Sequence, residues 1–208
     1  RTCVGVLRDP AAEPTSEELA TLLATIERNA DRMQRVVGDI LEIARFRTGE
    51  VVLQLRRFDA LEMARGAVAS VAPLASRRHQ VIHVDPPADA VRVYGDHRRL
   101  EQALVNFLSN AVKYGPDGGR ILVRVRAADG EVAWSVEDDG PGIPPDEQPR
   151  LFERFFKADP SRASGGGSGL GLAIARENAR LLQGELVASN SPGAGACFLL
   201  TLPLVRES

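Results

Sequence analysis

Cysteine is scarce in this 208-residue chain. Cys3 and Cys197 are the only two, far apart and without Cys-x-x-Cys spacing. That excludes a disulfide framework and a cysteine-based zinc site. Cys197 lies in an apolar run and reads as a core residue. No apolar run approaches the ~18 residues that a membrane helix needs, so no span is expected. An excess of one charge is missing too: 26 Lys and Arg stand against 28 Asp and Glu, a net charge of −2. A nucleic-acid surface needs a basic surplus, so nucleic acid is not an expected partner. The opening "RTCVGVLRDP" lacks the pattern of a signal peptide, and a start on Arg1 is expected of a fragment. The remainder is 44% hydrophobic and long enough to bury a core. A soluble, cytoplasmic piece is the expectation.

What is present begins with a long helix over residues 15–48. Pro14 precedes "TSEE", where Thr15 and Glu18 have capping-box spacing. Leu19, Leu22, Ile26, Asn29, Met33, Val36, Ile40 and Ile43 follow at alternating three- and four-residue steps, the period of a coiled-coil seam with one polar member. Leu23, Val37 and Leu41 widen the stripe, which suits a bundle. The first 14 residues are too few to cover this seam, which favours a bundle of more than one chain over packing on its own domain. Gly49 ends the helix.

After "VVLQLRRFD" the pattern turns to mixed α/β. Residues 59–75 read as a helix. "QVIHV" and "VRVY" read as short strands around a Pro-Pro turn. Asp96 caps a helix running to Tyr114. "ILVRVRA" and "EVAWSVE", joined by "ADG", form a hairpin. Residues 147–156 are a short amphipathic stretch rich in Phe. A helix over 170–183 has Gly184 just past its end. "ELVAS" and "CFLLTL" close a second hairpin. Strands in hairpins predict a mixed or antiparallel sheet with helices on one face, an α+β two-layer sandwich. Residues 159–169, "DPSRASGGGSG", have the composition of a mobile loop.

Three segments point to chemistry. "GGGSGLGLAIAR" is neither a Walker A loop, since no Lys follows, nor a Rossmann fingerprint, since it follows a loop. Its physics still suits phosphate: glycines let backbone N–H groups face an anion, and the helix opening near Leu170 adds a positive dipole end. Ser168 adds a hydroxyl. In "LEQALVNFLSNAVKYG", Leu100, Leu104, Phe107 and Ala111 share a core face, while Asn106, Asn110 and Lys113 share a polar one. Two Asn at i, i+4 in a helix are poor helix formers; a carboxamide oxygen suits Mg²⁺ and Lys113 suits a phosphate. In "SVEDDGPGIP" a strand ends in two carboxylates and a turn with Gly140 and Gly142. A carboxylate only accepts hydrogen bonds, so at a pocket floor it reads an amino group such as adenine N6.

Taken in order, these segments resemble the nucleotide-binding motifs of the bacterial sensor histidine kinases, within the ATPase superfamily that includes the DNA gyrases and Hsp90 chaperones. "NFLSNAVKY" is similar to the family's Asn box, "DDGPG" to its DxGxG segment, and "LFERFFKAD" to its Phe box. "GSGLGLAIAR" is similar to its second glycine box and "GAGACFLLTLP" to its closing strand. The helix "IERNADRMQRVVGDILEIARF" resembles the second helix of the family's dimerisation hairpin. The resemblance implies a Bergerat-type ATP-binding domain over 56–208. It implies part of a dimerisation and phosphotransfer hairpin over 1–55, and a homodimer through the 15–48 helix.

By resemblance, Asn110 ligates a Mg²⁺ that bridges the ATP phosphates, with Asn106 beside it. Lys113 contacts phosphate and Tyr114 lies near the nucleoside. Asp138 accepts from adenine N6 against a wall of Gly140 and Gly142. Gly167, Ser168, Gly169, Leu170 and Gly171 border the triphosphate, and residues 159–168 form an ATP lid. Lys157 and Arg162 reach the γ-phosphate, and Phe152, Phe155 and Phe156 anchor the lid's base. The family's reaction moves the ATP γ-phosphate to a histidine of the bundle and then to the receiver domain of a response regulator. This chain departs from the pattern at its start. The acceptor box reads His-Glu-Leu-Arg-Thr-Pro; here Arg1 and Thr2 remain, Cys3 replaces the Pro, and the His would precede them. His79, His83 and His97 lie in the α/β part, where the acceptor does not belong. The acceptor therefore lies on a missing segment in cis or on a hairpin in trans. A non-catalytic nucleotide-binding dimerisation module and a related serine kinase are the alternatives.

Overall fold

The computed structural model describes residues 15–157, 168–191 and 195–204. The chain divides into two compact units, residues 1–42 and 43–208. The expected lid residues 159–167, with Arg162 and Gly167, lie outside the described residues.

A helix, α1 (Ser16–Thr48), opens the described chain. Its start is the expected capping box. Glu18 N donates to Thr15 Oγ1 at 3.3 Å, and Thr15 N donates to Glu18 Oε2 at 2.9 Å. The Thr15 N–H and, at 3.0 Å, the Thr15 hydroxyl both donate to Glu18 Oε2 and hold that carboxyl below its ordinary pKa, since they favour the charged form. Gly49, at φ +70°, ends the helix. Leu22 is buried, while Leu19, Leu23, Ile26, Met33, Val37, Ile40 and Leu41 are exposed.

The second unit is a two-layer α/β sandwich. Its elements are β1 (Arg56–Asp59), α2 (Ala60–Arg77), β2 (Val81–Asp85), β3 (Arg92–Gly95), α3 (His97–Tyr114), β4 (Arg120–Ala128), β5 (Glu131–Asp138), α4 (Gly171–Leu181), β6 (Glu185–Asn190) and β7 (Ala196–Pro203). A five-stranded sheet runs β2-β4-β5-β7-β6. The β2–β4 pair is parallel and the others are antiparallel. Alternation along the strands buries Ile121, Val123, Val125, Val132, Trp134, Val136, Phe198, Leu200 and Leu202 against the helices. Phe107 of α3 stacks on Phe198 with ring centroids 5.4 Å apart. The indole N–H of Trp134 donates to the Ala60 carbonyl at 3.0 Å, fixing the start of α2 on the sheet. Arg124 and Glu137 pair across the opposite, partly exposed face.

Three details were left open or misplaced by the sequence. The segments on either side of the Pro-Pro turn are strands as expected, with partners that the sequence did not assign: β2 joins β4, and β3 pairs with β1. The strand β1 was not expected, because its four residues (Arg-Arg-Phe-Asp) bury only Phe58. At the end of α4 the left-handed residue is Gln183, φ +59°, rather than Gly184. Gly184 N still donates to Ala179 O at 2.9 Å, closing a Schellman-type end. Its missing side chain serves a close approach: a Cβ there would lie 2.3 Å from the Thr201 carbonyl oxygen. The Asp129-Gly130 turn is as expected, with both residues at positive φ between β4 and β5.

Candidate functional site

The helix α3 is the spine of the site. Its N-cap, Asp96, is buried, accepts from Arg99 N at 3.3 Å and also takes the Gln54 N–H at 2.9 Å. Arg99 then reaches α4 through a 2.9 Å bond to Asn178 Oδ1. Leu100, Leu104, Phe107 and Ala111 are fully buried, as their spacing predicts. That burial turns Asn106, Asn110 and Lys113 toward the margin of the core, where all three are partly exposed.

Two contacts bring the scattered motifs to this helix. Asn106 Nδ2 donates to the Gly171 carbonyl at 3.0 Å, joining α3 to the start of α4. A Cβ on Gly171 would stand 2.9 Å from Asn106 Oδ1, so a glycine keeps the two helices this close. At the other end, a Cβ on Gly140 would stand 3.2 Å from the Tyr114 carbonyl oxygen, so the Asp138–Gly140 turn abuts the end of α3. The helix between Asn106 and Tyr114 is about 12 Å long. Among the described residues the Asn110 carboxamide makes no hydrogen bond. Lys113 Nζ donates to Tyr114 Oη at 3.0 Å and lies over its ring at 4.6 Å. Tyr114 is 42% exposed.

Asp138 is a buried carboxylate at the end of β5. Gly140 N donates to its Oδ1 at 2.8 Å and Ala196 N at 3.3 Å. Both bonds fall on one oxygen, which leaves Oδ2 without a partner among the described residues. Burial pushes the carboxyl above its ordinary pKa, with the neighbouring Asp139 adding to the rise; the two N–H donors pull the other way. Asp139 faces outward, accepting from Arg120 N at 3.0 Å.

At the phosphate-like end, Gly169 takes φ +73° and its carbonyl accepts from Phe155 N at 2.9 Å. The Phe-rich segment therefore lies against the glycine segment. Only residues Gln148–Arg150 of it form a helical turn. Arg176 of α4 lies over the Phe152 ring and Arg150 over the Phe156 ring, whereas Phe155 is 65% exposed at φ +64°. Ser168 Oγ accepts from Leu170 N at 3.2 Å. The Leu170 side chain is fully buried. Among the described residues no side chain caps the N-terminus of α4 at its N-cap position, Leu170; an uncapped helix N-terminus carries unpaired N–H donors and the positive end of the dipole. Lys157 is exposed and lines an open depression of about 450 Å³ with Arg150, Glu153, Arg154, Phe155 and Phe156. Among the described residues, no other candidate lines it.

The sequence reading missed the residues that hold the far end of α3. Arg78 donates to the carbonyls of Val112 and Lys113 and pairs with Asp117 at 2.7 Å. Gln80 Nε2 donates to Val112 O at 3.2 Å and to Pro116 O at 2.9 Å. A cation at a helix C-terminus opposes the dipole, but this one comes from the preceding helix–strand corner, and no local pattern announces it.

Residues 95–206 match the family model for histidine kinase-, DNA gyrase B- and HSP90-like ATPases. The sensor histidine kinase MtrB of Mycobacterium leprae is 40% identical over 195 residues, 93% of this chain and 34% of that protein. The signal transduction histidine-protein kinase AfsQ2 of Streptomyces coelicolor is 39% identical, over 94% of this chain and 34% of its own length. The chain thus spans about a third of the length of these relatives. Full-length ShkA, solved in complex with AMPPNP, matches with a TM-score of 0.81 at 30% identity, over 95% of this chain and 41% of that one. No helix among the described residues is long and apolar enough to cross a membrane. With the Asn, Asp and glycine segments converging on α3 and the family model extending from residue 95 to residue 206, this chain belongs to the histidine kinase-, DNA gyrase B- and HSP90-like ATPase family.

Proposed function

We propose that this chain is the ATP-binding catalytic part of a two-component sensor histidine kinase. Residues 56–208 bind Mg-ATP. Residues 1–55 belong to a dimerisation hairpin whose acceptor histidine lies on a preceding segment or on another chain. The observation that carries this reading is the convergence on one helix of a free carboxamide, a buried half-paired carboxylate and an uncapped helix N-terminus. Each fits a different part of the same ligand. Asp138 Oδ2 is an acceptor at the adenine end, and the Asp138–Gly140 turn lets a flat ring approach the backbone. Asn110 supplies a neutral oxygen ligand of the kind Mg²⁺ takes while it keeps several waters. Gly169, Gly171 and the α4 N-terminus present N–H donors to the phosphates, and Lys113 adds a point charge.

Mg²⁺ supplies charge neutralisation on the phosphate oxygens. The protein's own part in phosphoryl transfer is alignment and electrostatic stabilisation. In the transfer the bond from the γ-phosphorus to the bridging oxygen breaks, ADP departs, and a P–N bond forms to an imidazole that loses its proton. The phosphoryl group is then passed to a response-regulator receiver domain. ShkA bound to AMPPNP supports the nucleotide assignment.

Calorimetric titration with Mg-ATP tests the binding site. The Asn110→Ala chain is expected to lose at least about tenfold in Mg²⁺-dependent affinity, the order of a hydrogen bond or ligand contact to a charged group; unchanged affinity refutes the site. Incubation with labelled ATP and a His-bearing hairpin tests the reaction. Acid-labile label on the hairpin supports the histidine kinase. Acid-stable label points to a serine kinase, and binding without transfer points to a non-catalytic module.

A further inference from the structure

The end of the β6–β7 hairpin reaches the Asp138 turn at three places. Asn190, the last residue of β6, pairs with Ile143 in both directions: its Oδ1 accepts from Ile143 N at 2.7 Å and its Nδ2 donates to Ile143 O at 2.9 Å. Ala196 N donates to Asp138 Oδ1 at 3.3 Å. Gly195 presses on the Asp138 backbone so closely that a Cβ there would sit 1.4 Å from the Asp138 carbonyl oxygen. The hairpin itself is closed by a bond from Ser191 N to Gly195 O at 2.8 Å.

Ile143 explains why a carboxamide stands at position 190. The chain leaves the β5 ladder after Asp138, so Ile143 has no strand neighbour, yet it is buried. A buried N–H and C=O need partners. One carboxamide offers a donor and an acceptor side by side and so stands in for the missing strand. A carboxylate offers acceptors only, and a methyl group offers neither.

We infer that Asn190 is a positioning residue for recognition of the purine 6-amino group. By pinning Ile143 it fixes the far end of the turn that begins at Asp138, and so fixes where Asp138 Oδ2 points. The inference rests on the ATP-binding reading above. Its contact is with protein backbone alone, and it acts on the nucleotide only through the turn.

The test compares ATP with purine riboside triphosphate, which lacks the 6-amino group, on the wild-type, Asn190→Ala and Asn190→Asp chains in Mg²⁺. The wild type is expected to bind ATP about tenfold more tightly than the analogue, the value of one hydrogen bond to a charged group. In Asn190→Ala this preference is expected to fall to about twofold or less, with analogue affinity little changed. A purely structural residue would weaken both ligands alike. Asn190→Asp keeps the acceptor for Ile143 N–H but sets an oxygen against Ile143 C=O, and is not expected to restore the preference. A wild-type preference retained in both variants overturns the role of Asn190 and leaves the ATP site standing. A wild type that binds neither ligand overturns the ATP reading and this inference with it. Should Asn190→Ala fail to fold, the Asp variant and amide exchange at Ile143 decide: rapid exchange in the folded wild type contradicts the pairing.

Discussion

At the candidate site, Asp138 is the carboxyl whose titration burial shifts upward. Its carboxyl is buried, held on one oxygen by two backbone N–H groups and open on the other. Its pKa is raised from 3.8, by burial first. The folded chain therefore holds this proton more tightly than the unfolded one, and ionisation as pH rises from 3.8 to the raised value costs folding stability. In the proposed site adenine binding would carry the opposite sign, because an amino donor bonds the ionised form. Nucleotide affinity is expected to be level near neutrality and to fall on acidification, beginning above the pH at which an ordinary aspartate titrates. Asp138→Asn keeps an oxygen for Gly140 N and Ala196 N but turns an NH₂ toward the adenine NH₂. A loss of about 2 kcal/mol or more in ATP affinity is expected, with the acid-side fall removed. Titrations from pH 5 to 8 on both chains check this, and parallel profiles would show that Asp138 does not read the base.

At the scale of elements, α3 and α4 act as one unit through Asn106 and Gly171. A Cβ at 171 would meet the Asn106 carboxamide at 2.9 Å, so Gly171→Ala displaces that side chain and breaks its 3.0 Å bond. Asn106→Ala breaks the same bond from the other side. Each change is expected to lower Mg-ATP affinity by about tenfold, and the double variant by little more than either alone, because coupled neighbours are not additive. A double variant in which the two losses multiply would place Asn106 and Gly171 in separate roles. The polar stripe was legible in the sequence because helical period separates Asn106, Asn110 and Lys113 from the buried Leu100, Leu104, Phe107 and Ala111. The capping box of α1 and the Asp129-Gly130 hairpin were legible for the same reason: their signals are local. The Asn106–Gly171 bond was not, since it joins residues 65 positions apart. Nor was the choice of β4 as the partner of β2, which depends on the whole sheet, nor the Arg78 clamp on the end of α3. Gln183 in the left-handed position shows a local rule yielding to packing. The glycine beside it is needed where β7 comes near, so the helix turns one residue earlier.

At the scale of the whole molecule, the seam of α1 is exposed along much of its length, although Leu22 within it is buried. Leu19, Ile26, Met33 and Ile40 recur along it at the spacing of a bundle seam and are all exposed, Met33 to 69%. Asn29, the polar member, donates Nδ2 to the Thr25 carbonyl within its own helix at 2.9 Å, so its oxygen stays available to a facing helix. A buried stripe of this kind stabilises association by roughly 25 cal/mol for each Å² of apolar surface covered. A charge placed on it must be desolvated without a partner. The expectation is a homodimer in which Ile26→Glu and Ile40→Glu each weaken association by about 2 kcal/mol or more. Sedimentation across a concentration series reads this directly. Mg-ATP affinity is expected to stay unchanged in both variants, because every proposed nucleotide contact lies beyond residue 105, outside the seam. A wild-type chain that sediments as a monomer at high concentration, or glutamate variants that associate as the wild type does, would remove the bundle and leave α1 without a role for its apolar face.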